Sequence, residues 1–359
     1  MKYLFLIHSS SINGATNAVV FFINYLLNKG EIVHYITLDN KLLILDEKGG
    51  IQINERYFTK QKNIILSFFT PWFYSNKRKI IKEKYDFLYA NTIVTLRLAL
   101  EIKKNSPSSR LILHLHEMET IIQQSFNDFV CYDEYITCYI VVSNYTKHYL
   151  LSIGICPSKI TLINECSMVP KVNKIEYPTL ATYNVVMVGE AHWRKGDDIF
   201  LLIVKKTILL NSDIHFYWIG RVDPYRKIIL DQDIKKLEIS SNVTFISEVS
   251  NPQDYVAKMD LFILTSREDP FPLAAIEAGM LGLPIVCFDK ATGLEGDIKE
   301  TGGEVVPYLD IDGMSRSIIK FYENRSDILN NKKYIMDYFE KFKPEIICEQ
   351  LYNVIIENR

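Results

Sequence analysis

Short apolar runs recur along this chain, each leading into small polar residues and then into a helix-length segment. The run at residues 3–7 (YLFLI) feeds a polar loop with Asn13, Gly14 and Ala15 and a helix-like segment over about 16–29 that Gly30 closes. A second run, 31–37 (EIVHYIT), follows, so the opening is a strand–loop–helix–strand unit. The rhythm continues through 87–90, a helix around 95–104, 111–115 and 139–142. It restarts at 184–188, a helix over 197–210, then 214–219, 243–246, 261–264, 285–288 and 304–307. Runs this short and this apolar are strands buried on both faces, and their alternation with helices predicts parallel sheets in an α/β fold.

Between 165 and 182 the periodicity stops and Pro170 and Pro178 appear, which marks a linker. A length of 359 residues suits two domains. The expected organisation is a doubly wound domain over 1–168, a linker over 169–182 and a second doubly wound domain over 183–343. A C-terminal helix follows over 344–359, amphipathic through Ile346, Ile347, Leu351, Val354 and Ile355. Such folds bind ligands at the carboxyl ends of their strands.

A formal net charge of -2 gives no general attraction to nucleic acid, so none is expected as a partner. The six cysteines form no CxxC pair and have no zinc-site spacing, which fits free thiols in a reducing compartment. The N-terminal apolar run is too short for a signal-peptide core, and no stretch reaches the length of a membrane span. A cytoplasmic protein is expected.

Residues 266–284 (SREDPFPLAAIEAGMLGLP) carry the most chemistry. A strand ends just before them, Pro272 suits the first turn of a helix, and Gly282 and Pro284 stop that helix. The unpaired amides of Leu273 and Ala274 at its start, aided by the helix dipole, make an anion site. Asp269 and Glu277, eight positions apart, flank that site. Carboxylates beside an anion must meet neutral groups, and a sugar and a ribose on either side of a diphosphate supply them. Taken alone, the stretch also reads as an N-terminal cap at Asp269 and a solvated helix residue at Glu277.

The stretch resembles the acid-x7-acid signature of the retaining, GT-B-fold glycosyltransferases of family 4, also called glycosyl transferases group 1. The resemblance implies two tandem Rossmann-like domains facing across a cleft: an acceptor-binding N-terminal domain and a nucleotide-sugar-binding C-terminal domain. It implies that Glu277 binds the ribose hydroxyls, Asp269 the transferred sugar, and the region of Pro272, Leu273 and Ala274 the diphosphate. The segment 188–201 (VGEAHWRKGDDIFL) resembles the family's diphosphate-binding turn, with Lys195 as the phosphate-binding lysine. The family often has Arg directly after the first glycine; Glu190 stands there, and Arg194 is the substitute expected. The same turn on its own reads as a solvated Arg-Lys pair. Residues 217–224 and 243–264 are similar to the strands around the nucleotide base, with Arg221 and Val249 as contacts. Residues 11–19 resemble the glycine loop near the donor phosphate, which assigns Gly14, although one glycine in a polar loop also makes an ordinary turn. In 113–120 (LHLHEMET), His116 takes the place of the family's sugar-contacting histidine, and His114 reads as a core or edge residue. Residues 163–168 (INECSM) depart from the family wording at the link between domains.

The activity implied is retaining transfer of a hexose from a UDP- or GDP-sugar to a glycan or lipid-linked acceptor in bacterial surface polysaccharide biosynthesis. His116, Asp269 and Lys195 carry the chemistry, with the nucleotide sugar as co-substrate, no cofactor and no essential metal. HEMET is not a zinc motif, and no GxGxxG follows a strand as a dehydrogenase would need. Front-face attack, with the leaving phosphate taking the acceptor proton, needs no protein nucleophile. The competing reading is a nucleotide-sugar-binding partner subunit, suggested by Glu190. Residues 57–84 hold seven Lys/Arg, one acid and seven aromatics. Two readings fit that stretch: peripheral docking on the inner membrane face, or a buried strand followed by a solvated basic helix.

Overall fold

The computed structural model describes residues 1–10, 14–39, 41–43, 45, 49–52, 83–173 and 183–357. All of the basic-aromatic stretch but residues 83 and 84, positions 11–13 of the glycine loop, and 174–182 of the expected linker lie outside the described residues. The chain divides into two compact units: Met1–Glu165 with Pro344–Arg359, and Cys166–Lys343.

The first unit is built on β1 (Lys2–Ile7), α1 (Gly14–Asn28), β2 (Ile32–Thr37), β3 (Ile51–Gln52), β4 (Phe87–Asn91), α2 (Leu96–Asn105), β5 (Arg110–Leu115), α3 (Glu119–Phe126), β6 (Cys138–Val141), α4 (Asn144–Ser152) and β7 (Ile160–Leu162). All strands are parallel, in the order β3-β2-β1-β4-β5-β6-β7. The central strands are covered on both faces, so every residue of β4 is buried. Tyr3, Phe5, Phe22 and Tyr89 pack ring against ring at the sheet's centre, with Phe5 and Tyr89 centroids 4.7 Å apart. Register places Ile7 beside Asn91 and Asn91 beside His114, which aligns the carboxyl ends of β1, β4 and β5.

The second unit has β8 (Tyr183–Val188), α5 (Asp197–Leu210), β9 (Ile214–Ile219), α6 (Pro224–Lys236), β10 (Val243–Ile246), α7 (Gln253–Val256), β11 (Leu261–Leu264), α8 (Leu273–Met280), β12 (Ile285–Phe288), α9 (Glu295–Glu300), β13 (Glu304–Val306), α10 (Ile311–Glu323) and α11 (Arg325–Phe339). Its six parallel strands run β10-β9-β8-β11-β12-β13. Both sheets therefore wind outward in two directions from a first strand. That creates a switch point between β1 and β4 in one unit and between β8 and β11 in the other, where open α/β sheets bind ligands.

The last helix, α12 (Pro344–Glu357), packs on α1 of the first unit. Ile347, Leu351 and Ile355, four apart, are buried, whereas Ile346 is exposed. Tyr352 donates to Glu31 Oε1 at 2.9 Å, and Lys29 lies over the rings of Tyr25 and Tyr352. Burial of this stripe explains the apolar spacing seen in the sequence. All six cysteines are unbridged, and Cys138, Cys166, Cys287 and Cys348 are buried. No helix among the described residues is long and apolar enough to cross a membrane.

Candidate active site

In the second unit the loop after β8 closes in a single helical turn, Trp193–Lys195, capped by His192, whose Nδ1 accepts from the Arg194 amide at 3.2 Å. Gly196 ends the turn in the left-handed region at φ 72°, and a Cβ there would lie 2.1 Å from the Thr265 carbonyl oxygen. Only glycine lets this turn lie against the end of β11. Thr265 Oγ1 donates to the Lys195 carbonyl at 2.9 Å, and the Arg267 amide donates to the Arg194 carbonyl at 2.8 Å. Arg267 grips Asp198 through two bonds of 2.9 Å, and Arg226 grips Asp197 through two of 2.6 Å. Both acids sit in the first turn of α5, where the helix dipole favours them. The turn carrying Arg194 and Lys195 is thus held from both sides of the β8–β11 switch point.

Lys195 Nζ forms an ion pair with the Asp269 carboxylate, which also receives Ser266 Oγ at 3.3 Å. Asp269 is fixed in turn by its amide, which donates to the Ala291 carbonyl at 2.7 Å. With side-chain exposures of 16% for Lys195 and 8% for Asp269, this is a nearly buried charge pair at a strand end. Arg194 beside it is half-buried and makes no ion pair among the described residues.

The helix expected after Pro272 begins at Leu273, so Pro272 occupies the capping position rather than the first turn, with φ -73° and ψ 111°. Its carbonyl accepts from the amides of Ala275 and Ile276, and among the described residues no side chain caps the helix. The amides of Leu273 and Ala274 are left without a partner among the described residues. On the second turn, Glu277 receives Ser167 Oγ on Oε1 at 2.7 Å and the Gln253 amide on Oε2. Burial pushes its carboxyl up, and the bonds from Ser167 and Gln253 only partly oppose that. Both donors are neutral, and both carboxylate oxygens act as acceptors.

Arg221 and Glu190 pair with each other at 2.5 Å in an exposed setting. The acid that replaces the family's usual arginine is thereby neutralised by a neighbouring cation. Val249 is half-buried in the loop after β10.

In the first unit, Gly14 is the exposed first residue of α1. His116 follows β5 and is nearly buried, its side chain 5% exposed. Its Nδ1 meets Glu165 Oε1, and its Nε2 lies 2.9 Å from Asn91 Oδ1. Burial lowers the His116 pKa, but the charge and hydrogen bond of Glu165, with Glu117 behind them, outweigh it, and the net shift is upward. His114, read from sequence as a core residue, is buried, with Nδ1 2.7 Å from the Tyr89 hydroxyl and its ring 3.9 Å from that of His116.

The structure thus brings Lys195 and Asp269 into contact and sets Pro272, Leu273, Ala274 and Glu277 on one helix start. Glu165, Asn91, Ser167 and Gln253, which hold the candidate side chains, were not singled out from sequence. The departure INECSM was the one available signal, since Glu165 and Ser167 both lie in it.

Two doubly wound units, one bearing a basic turn, a helix start with two amides unpartnered among the described residues, and two acids beside them, define a GT-B-type protein. A model of glycosyl transferases group 1 matches residues 182–324, and one of glycosyltransferase family 4 matches residues 12–165. The chain belongs to the group 1 glycosyltransferases. Capsular polysaccharide biosynthesis glycosyltransferase CapM of Staphylococcus aureus is 24% identical over 91% of this chain and 86% of CapM. The crystal structure of Anabaena Alr3699/HepE in complex with UDP matches with a TM-score of 0.76 over 99% of this chain and 100% of that one, at 16% identity. The lipopolysaccharide outer core galactosyltransferase WaaB, in its apo form, gives 0.72 over 100% of both chains at 17% identity.

Proposed function

We propose that this chain is a retaining glycosyltransferase that moves a hexose from a UDP- or GDP-sugar to a glycan or lipid-linked acceptor of a bacterial surface polysaccharide. The observation that carries the reading is the start of α8. Two amides, of Leu273 and Ala274, unpartnered among the described residues, sit one turn before the half-buried Glu277, whose carboxylate accepts from two neutral side chains. An anion fits the amides and the dipole, and a diol fits Glu277, whose oxygens already accept hydrogen bonds from a hydroxyl and an amide. A ribose next to a diphosphate presents both groups. The names of CapM and WaaB support the pathway, and the UDP in complex with HepE supports a uridine nucleotide as the donor's carrier.

In this reading Lys195 and Arg194 take the charge that develops on the leaving diphosphate. Asp269 exchanges part of its contact with Lys195 for hydroxyls of the transferred sugar. His116 contacts that sugar, Gly14 lies at the donor phosphate, and Arg221 and Val249 lie at the base. The cations and the helix start supply the stabilisation that a metal would otherwise give, so no metal is assigned a step. The leaving phosphate accepts the proton of the attacking hydroxyl on the same face, which keeps the anomeric configuration. The reading assigns the protein to the cytoplasm.

The test is turnover of UDP- and GDP-hexoses by the purified protein, with and without an undecaprenyl-linked sugar acceptor. Release of nucleoside diphosphate that disappears in Asp269→Ala and Glu277→Ala supports the reading. Donor binding without any turnover, by hydrolysis or transfer, would favour a partner subunit instead.

A further inference from the structure

Glu165 is nearly buried, as is the histidine it meets. Asn91 completes the arrangement. Its Nδ2 donates to the Ala15 carbonyl at 3.0 Å, which orients the amide so that Oδ1, an acceptor, faces His116 Nε2. Both ring nitrogens of His116 therefore point at acceptor oxygens. A neutral imidazole donates from only one nitrogen and would aim a lone pair at the other oxygen; the imidazolium donates from both.

The groups around the ring agree with one charge at this position. Glu165 and Glu117 raise the His116 pKa against burial, and Glu117 Oε2 also accepts the His116 amide at 3.0 Å. His114, in ring contact, is held well below its ordinary value by burial and by the charge on His116. His8 is lowered by burial and by His116, with Asp39 opposing. Of these three histidines, one is built to carry the proton.

We propose that Glu165 is the positioning residue of the sugar-contacting histidine, holding His116 with both nitrogens as donors so that Nε2–H grips an oxygen of the transferred sugar. This rests on the functional reading above. It assigns His116 the role of a hydrogen-bond donor and removes it as a general base, because no lone pair remains to take a proton. Asn91 Oδ1 keeps the Nε2–H engaged in the free protein and is the group with which the sugar oxygen competes.

The experiment is an NMR titration of ring nitrogens in 15N-histidine-labelled, ligand-free protein. The His116 signal is assigned by its absence from His116→Gln. Wild-type His116 is expected to be doubly protonated at pH 7 and to titrate above the ordinary histidine value. Glu165→Gln keeps an acceptor but removes the charge, and is expected to lower the midpoint by about one unit or more. The alkaline limb of the kcat/KM profile for the donor sugar moves the same way, and Glu165→Asp restores both in part. A wild-type midpoint at or below the ordinary value overturns the proposal even if Glu165→Gln fails to fold. A midpoint that Glu165→Gln leaves unmoved overturns it as well. The titration needs no donor, so absence of turnover in the wild-type protein counts against the functional reading and not against the pairing.

Discussion

Replacing Lys195 with Met keeps the apolar stem of the side chain and removes only the charge that faces Asp269. The carboxylate, 8% exposed, is left with Ser266 Oγ at 3.3 Å as its side-chain donor. Removing one member of a buried ion pair costs about 3–5 kcal/mol, and Ser266 places this case near 3 kcal/mol. For a unit of this size, that lowers the melting temperature by about 6–12 °C. Asp269→Ala strands an ammonium that is 16% exposed on a flexible stem, and its expected loss is about 2 kcal/mol because the head can reach water. The double variant has no stranded charge, and a buried pair contributes little net stability over apolar replacements, so its loss is expected near 1 kcal/mol. The cycle therefore predicts a coupling of about 4 kcal/mol. Urea unfolding followed by tryptophan fluorescence reads it, because Trp218 is fully buried in the same unit. Losses that add to within about 0.5 kcal/mol would refute the reasoning, since they would mean the two side chains do not share a buried contact. The double variant is also expected to fold well and to lose turnover, which separates the pair's function from its effect on stability.

Other predictions follow from single positions. Gly196→Ala puts a Cβ 2.1 Å from a carbonyl oxygen at φ 72°, and about 2–3 kcal/mol of destabilisation is expected, whereas Gly296→Ala, in α9 with open space around it, should stabilise by about 0.5–1 kcal/mol; melting temperatures compare them. Leu351→Ala empties the centre of the α12 stripe, where the side chain is 4% exposed, and should cost about 2–4 kcal/mol in chemical denaturation. The Glu277 carboxyl is raised above its ordinary 4.5, so its ionisation opposes folding above that pH and ceases to do so on acidification. Glu277→Gln is accordingly expected to stabilise the ligand-free protein at pH 7 and not at pH 4, while abolishing turnover; equal effects at both pH values would contradict this.

The sheets were legible because strands buried on both faces write themselves as unbroken apolar runs. The run 3–7 is β1 short of one residue, and every residue of it is buried. The two-residue β3 and the partly exposed β7 at the sheet's edges carry no such run and were not read as strands. Helices α3, α4, α6, α7, α9, α10 and α11 have no reading in the sequence either. The site divides in the same way. Asp269, Pro272, Leu273, Ala274 and Glu277 lie within one strand–loop–helix, so their proximity follows from local spacing. Glu165 meets His116 across 49 positions and Ser167 meets Glu277 across 110, and such contacts depend on sheet order, which periodicity does not encode. Lys195 and Asp269, 74 positions apart, were each named from sequence, but their mutual ion pair was not. That pairing follows from β8 and β11 being neighbours in the sheet.

The central claim is that the start of α8 receives a nucleoside diphosphate and Glu277 its ribose. Isothermal titration of UDP and GDP into the wild-type protein and Glu277→Ala tests it most directly. Saturable binding of one nucleotide by the wild type is expected, weakened at least about tenfold in the variant, a loss of about 1.4 kcal/mol. No binding of either nucleotide, or equal binding by both proteins, would contradict the account.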